Sequence, residues 1–176
     1  MEANLEAFLT GCSKVSKEIV SWAEGAMRLQ LSSYLTNHMP PLDYVTSVRG
    51  IVVNGDTVLV VHYPNGLSIL PGGRREKDEE IEETLRRELL EETGWEVGDI
   101  RLLGFQHYNH LTPKPAGYRY PYPDFLQLVY VTKALRSVSE VRQENGTDLE
   151  CWFCPINEAD KLTLSAGELA FLSAIS

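Results

Sequence analysis

The sequence predicts an α/β domain, a mixed sheet with helices on both sides. Three observations carry that prediction. Val-rich runs fill residues 44–70 and are punctuated by Asn54-Gly55-Asp56 and Pro64-Asn65-Gly66. A charged segment at 78–93 has helical spacing and stops at Gly94. Strand-like runs at 100–107, 125–132 and 149–153 then precede a last helix at 165–175, capped by Ser165.

Ahead of the sheet, residues 2–37 read as a helical arm. Leu5, Phe8, Leu9 and Cys12 make one apolar stripe, and Val15, Ile19, Trp22, Ala26 and Leu29 continue it at spacings of three and four. Gly11 and Ser13 divide the arm, with Ser13 as an N-cap, and Met39-Pro40-Pro41 ends it. The expected organisation is therefore an arm over 1–41 and a domain over 42–176. The arm can pack on its own domain or on a second copy in a homodimer, and the sequence leaves both open. Tyr44–Val53 and Thr57–Tyr63 form a hairpin, and a short strand over Leu67–Leu70 leads into a loop at Pro71-Gly72-Gly73. A long loop rich in Pro and Tyr separates the strands at 100–107 and 125–132.

Composition narrows the function classes. The chain has 176 residues, 43% apolar and 23% charged, which suits one soluble core. No apolar run approaches the roughly 20 residues that span a membrane. The start, MEANLEAFLTG, carries acids and does not read as a signal peptide. Three cysteines are too few for a disulfide framework, so a reducing cytoplasmic setting is expected. A net charge of −9 argues against a long nucleic acid as partner.

The acidic excess is concentrated. Residues 73–95 hold five basic and nine acidic side chains. On a helical wheel Ile81, Leu85 and Leu89 form the core row, while Thr84, Glu88 and Glu92 form the row beside it, with Glu91 just beyond. Glu82 and Glu83 are spaced to pair with Arg86 and Arg87. Glu88, Glu91 and Glu92 are left over, at the negative end of the helix dipole. A solvated acidic face is the ordinary explanation. A hard divalent cation such as Mg²⁺ or Mn²⁺, taking oxygen ligands at i, i+3 and i+4, is the alternative.

The full spacing supports the cation. Gly73, Glu79, Arg87-Glu88-Leu89, Glu91-Glu92, Gly94 and Trp95 stand at every specified position of the Nudix box, so the chain resembles a Nudix hydrolase. A chance match is on the order of one in a million or less at average residue frequencies. The resemblance implies an α/β/α sandwich over 42–176, leaving the arm outside it. It implies that Glu88, Glu91 and Glu92 bind the metal with the carbonyl of Gly72, that Arg87 orients a glutamate, and that Glu79 has a supporting role. Glu88 is the expected general base. Glu140 or Glu144, before the strand at 149, is the alternative base or a further ligand.

The implied reaction is Mg²⁺-dependent hydrolysis of a nucleoside diphosphate linked to another group. Residues 106–125 carry the substrate candidates. Tyr108, Tyr118, Tyr120 and Tyr122 can stack on a base, Lys114 and Arg119 can meet phosphate, and His107 and His110 can make polar contacts. Packing of this loop on itself is the plainer alternative. Zinc at His107, His110, Cys151 and Cys154 is disfavoured, because residues three apart on a strand face opposite sides. A Nudix-fold binding module without catalysis is the competing class, although no box carboxylate is missing.

Overall fold

The computed structural model describes residues 2–76, 78–138 and 149–176. Its strands are β1 (Ser13–Trp22), β2 (Met27–Leu35), β3 (Val45–Asn54), β4 (Thr57–Tyr63), β5 (Gly66–Ser68), β6 (Trp95–His110), β7 (Asp124–Ser137) and β8 (Glu150–Pro155). Its helices are α1 (Ala3–Thr10), α2 (Ile81–Thr93), α3 (Ile156–Ala159) and α4 (Ala166–Ser173). The strands form one sheet in the order β1-β2-β6-β7-β3-β4-β5, with β8 on β4. β3 and β7 run parallel and the other pairs antiparallel, so the sheet is mixed.

Alternation along each strand sends apolar side chains to two cores. On one face Val48, Val52, Phe105, Leu126 and Leu128 meet Leu5 and Leu9 of α1 and Leu85 and Leu89 of α2. On the other face Ile51, Leu103 and Val129 meet Ala159 of α3 and Phe171 and Leu172 of α4. Each fully buried Leu or Phe stabilises the fold by about 1.5–3 kcal/mol. The expected helices on both sides of a mixed sheet are thus present. Cys151 joins the first core and Cys154 the second, on opposite faces.

Two glycines set the close approaches around the central strand. A Cβ on Gly50 would lie 2.8 Å from Leu89 Cδ1, so its absence lets α2 settle on β3. β3 pairs with β4 only at Val53 and Asn54. Beyond that the segment 71–73 takes the strand edge: Gly50 N donates to Pro71 O at 2.9 Å and Val48 N to Gly73 O at 2.9 Å. Gly72 has φ +136°, and a Cβ there would collide with the Val48 carbonyl.

The helical arm is corrected by the structure. Only Ala3–Thr10 is helical, and Ser13 opens β1 instead of capping a helix. β1 and β2 form a hairpin whose inner strand pairs with β6, so they extend the same sheet. The stripe failed because spacings of three and four also occur in a strand with half-exposed apolar residues. Val15 and Ile19 point outward at 36% and 51% exposure, while Ser16, Glu18 and Val20 alternate inward. The β-branched content and the Leu29/Leu31 alternation were the correct signals. The strands at 100–107 and 125–132 are also longer than expected, running from Trp95 and to Ser137.

Gly104 is the tightest point between the hairpin and the rest of the sheet. A Cβ there would overlap the Tyr34 carbonyl oxygen and come within 3.1 Å of the Phe171 ring. Gly104→Ala should cost about 1–3 kcal/mol by forcing β2 away from β6. A urea midpoint equal to that of wild type would contradict this packing.

Candidate active site

The end of α2 and the loop 71–74 meet beside β3. α2 stops at Gly94, whose φ of 72° is left-handed and whose N–H donates to Leu90 O at 2.9 Å. The last turn thereby points Glu88 and Glu92 at the loop. Glu92 Oε2 accepts from Gly72 N at 2.8 Å and from the Tyr63 hydroxyl at 2.7 Å. The carboxylate of Glu88 lies over Gly73, where a Cβ would occupy its place. Gly72 O accepts from the Arg49 guanidinium.

Arg87 is the hub of the carboxylates. Its Nε donates to Glu79 Oε1 at 2.8 Å, and its Nη1 reaches Glu88 Oε1 at 3.0 Å and Glu91 Oε2 at 3.3 Å. The pairings expected within the helix are corrected. Arg86 turns to the Val97 carbonyl, and Glu83 accepts from Glu80 N at 3.4 Å, so the i,i+4 pairs do not form among the described residues. Glu91 and Glu88 do have a basic partner, because Arg87 spends itself along the acidic side of the helix.

The environments separate these acids electrically. Arg87 holds the Glu79 carboxyl down to about 2, helped by the Thr84 hydroxyl at 2.7 Å. Burial pushes the Glu88 carboxyl up, opposed by Arg87 and reinforced by the charges of Glu92 and Glu91. Burial also pushes the Tyr63 hydroxyl up, with Glu92 beside it adding to the shift, so Tyr63 stays a donor.

Among the described residues no three His, Cys, Asp or Glu side chains stand together in a way that could hold an ion. The chemistry of the donors nevertheless fits a hard divalent cation. Glu88, Glu91, Glu92 and the Gly72 carbonyl are all oxygen donors. The space above Gly73, which a Cβ would fill, is given to a carboxylate.

A cleft of about 570 Å³ opens next to this cluster, over the sheet face that carries α4. Tyr63, Arg49 and Arg74 line it at the loop end, and Trp22, Tyr108, Tyr118, Tyr120 and Phe125 supply aromatic walls. The structure brings Tyr118 and Tyr120 to the wall, with their rings edge to face at 5.5 Å. Tyr108 is in the floor: its ring stacks on Phe125 at 4.8 Å and sits 5.0 Å from Trp22. Arg119 and Tyr122 do not line the cleft, and the Tyr122 hydroxyl donates to Thr112 O at 3.0 Å. His107 is buried on the opposite sheet face against Asp124 at 2.8 Å, and His110 meets the Tyr118 hydroxyl at 3.1 Å. Glu140 and Glu144 lie outside the described residues.

Sequence reasoning missed Arg49, Arg74, Tyr63 and Glu168. Arg49 interrupts an apolar run in β3 and shares the face of Ser47 and Ile51, a period-two signal that could have found it. Arg74 packs over the Tyr120 ring at 4.6 Å, tying the Gly loop to the aromatic wall. Glu168 accepts from Ser68 Oγ at 2.5 Å, Ile69 N at 2.9 Å and Ser165 N at 2.9 Å, clamping α4 to the approach of the loop.

The acidic end of α2, the Gly-rich loop and an aromatic cleft lined by two arginines thus adjoin one another. A family model described as NUDIX domain matches residues 43–174, and the chain belongs to the Nudix hydrolase family. No curated protein matches the sequence. Among solved structures it is similar to a mutant form of the Bacillus subtilis pyrophosphohydrolase BsRppH, at 19% identity and TM-score 0.54, covering 78% of this chain and 77% of that one. It is also similar to an ADP compounds hydrolase, at 15% identity and TM-score 0.55, covering 93% and 91%. A Nudix hydrolase from Nitrosomonas europaea matches at 22% identity and TM-score 0.51, covering 68% and 76%. At these identities the structural likeness speaks to the fold. No helix among the described residues is long and apolar enough to cross a membrane.

The Arg87–Glu79 pair generates a pH prediction. The folded Glu79 carboxyl titrates near 2, below its ordinary 4.5, so its contribution is present above pH 4.5 and fades as pH falls toward 2. Glu79→Gln should lower Tm at pH 7, and the gap to wild type should narrow between pH 4.5 and 3. A gap independent of pH would show that this pair does not stabilise the fold through charge.

Proposed function

We propose that the protein is a Mg²⁺-dependent pyrophosphohydrolase that cleaves a nucleoside diphosphate linked to another moiety, with Mn²⁺ as a competent substitute. The observation that carries this reading is the meeting of Glu88, Glu92 and the Gly72–Gly73 loop with a cleft walled by tyrosines and lined by Arg49 and Arg74. The chain is acidic overall, at −9, so an anionic substrate needs local cations. The divalent ion, held by Glu88, Glu91, Glu92 and the Gly72 carbonyl, would neutralise the diphosphate and polarise water.

Each of the chain's own groups then has a defined task. Glu88 takes the proton of the attacking water. A new P–O bond forms as the bridging P–O bond breaks, and the departing phosphate leaves as an anion. Arg87 orients Glu88, and Glu79 orients Arg87. Tyr63 and the Gly72 N–H fix Glu92. Arg49 and Arg74 counter the substrate's charge at the loop end of the cleft, and Tyr118 and Tyr120 pack against its base. Glu144 is a further ligand in this proposal. A chain with three cysteines, Cys12, Cys151 and Cys154, fits a reducing cytoplasmic setting in this proposal.

The direct test is a panel of nucleoside triphosphates, oxidised nucleotides, ADP-ribose, nucleotide sugars, dinucleotide cofactors and dinucleoside polyphosphates with Mg²⁺ or Mn²⁺. At least one should be cleaved with release of a nucleotide product. Glu92→Gln should lose at least about 100-fold in kcat, as expected when a preorganised charge is removed. No turnover across the panel, or an unimpaired Glu92→Gln enzyme, would end this proposal.

Gly73 offers a separate probe of the carboxylate's position. Gly73→Ala should fold, since its Cβ meets the movable Glu88 carboxylate and not backbone. Its kcat should nonetheless fall by about 10–100-fold, because a displacement of about 1 Å at a reacting group carries that penalty. Full activity in this variant would mean that Glu88 does not act from its place over Gly73.

A further inference from the structure

The floor of the cleft carries a row of polar side chains running across four strands. Ser33 of β2 faces Gln106 of β6, Gln106 faces Gln127 of β7, and Gln127 faces Ser47 of β3. Adjacent strands are about 4.8 Å apart, so the row presents a polar group at each strand spacing. Ser33 is closed off by α4, where a Cβ on Gly167 would collide with its hydroxyl. The other three line the open cleft.

These three side chains are buried, and among the described residues their hydrogen-bonding capacity is only partly used. Gln106, Gln127 and Ser47 are 5%, 8% and 2% exposed. Ser47 Oγ is buried with no hydrogen-bond partner among the described residues. The two amides share one hydroxyl, that of Tyr108, at 3.3 and 3.4 Å from their carbonyl oxygens. One hydroxyl proton serves only one of them well. A β-sheet floor of this kind is ordinarily apolar, as its continuation through Ile51, Leu103 and Val129 shows. An unmatched buried hydroxyl such as that of Ser47 destabilises the free protein. Water can occupy them in the free protein, but their line, their depth and the aromatic walls above them suit a flat ligand with alternating donors and acceptors along one edge. Arg49 lies two residues from Ser47 along β3, about 6.6 Å, between this row and the Gly72 loop.

We propose that Gln106, Gln127 and Ser47 read the hydrogen-bonding edge of the substrate's nucleobase and so decide which base the cleft accepts. A diphosphate carrying only a sugar or an alkyl group leaves the row unmatched and is a poor substrate. Glutamine amides donate and accept at once, and so pair with a base edge in a bidentate manner. Mismatched bases strand a buried amide, which is the source of discrimination. This inference rests on the hydrolase reading for its substrate class, and its test separates the two.

The test is binding without turnover. Adenosine, guanosine, uridine and cytidine monophosphates, and ribose 5-phosphate as the base-free probe, are titrated into the whole protein in excess EDTA by calorimetry. One nucleotide should bind at least 10-fold more tightly than ribose 5-phosphate. Gln127→Leu and Gln106→Leu should each cut that advantage to within about threefold and leave ribose 5-phosphate binding unchanged. Ser47→Ala gives an independent reading. It removes an unmatched buried hydroxyl, so Tm should rise by a few degrees while affinity for the preferred nucleotide falls. Equal binding of all five probes by wild type, or an undiminished base preference in both glutamine variants, overturns the proposal. A base preference that disappears in the variants, together with no hydrolysis of any panel compound by wild type, supports base reading while removing the hydrolase assignment alone.

Discussion

The structure depends on how closely α2 and the loop 71–73 approach β3. Gly50 lets the Leu85 and Leu89 row settle on the strand, and Gly72 and Gly73 let the loop lie along its edge. One strand thus receives a helix on its face and a loop along its edge. The carboxylates of α2 reach the loop only because both contacts are made without intervening side chains. β3 also sends Arg49 and Ser47 to the opposite face, so the same strand supplies the cleft. The carboxylate cluster and the cleft thus flank one element.

Charge is managed around that element by sharing instead of by pairwise matching. Arg87 serves Glu79, Glu88 and Glu91, while Glu92 is held by neutral donors, Tyr63 and the Gly72 N–H. Glu79 is thereby stabilised as an anion, and Glu88 is pushed toward the protonated form by burial. Carboxylates on and just before one helix so acquire different electrostatic environments, set by which of them the guanidinium reaches and which the loop covers.

Legibility varied along the chain for physical reasons. The hairpin at β3 and β4, α2 and α4 were readable because each combines a periodic apolar pattern with a local stop or cap: Asn54-Gly55, Gly94 and Ser165. The N-terminal segment was misread because Val15 and Ile19 lie on the exposed side of β1 while Trp22 lies on the other side, so their spacing of three and four is not one face. The box glutamates were legible as a cluster because they lie within one helix turn. Tyr118 and Tyr120 were legible as a compositional signal in one loop. Arg119 matched that signal equally well, yet its side chain does not line the cleft.

By itself the sequence determined the mixed α/β architecture, the helix that bears the acids and the family to which it belongs, because these follow from periodicity and spacing within short segments. It did not determine which acid Arg87 would hold, nor that Tyr63 would cap Glu92, nor that Arg49, Arg74, Gln106, Gln127 and Ser47 would share a cleft. Those residues come from β3, β4, β6, β7 and the loop after β5, and only strand order and register place them together. Register is a property of paired chains, set by which face must be buried. No single segment carries it.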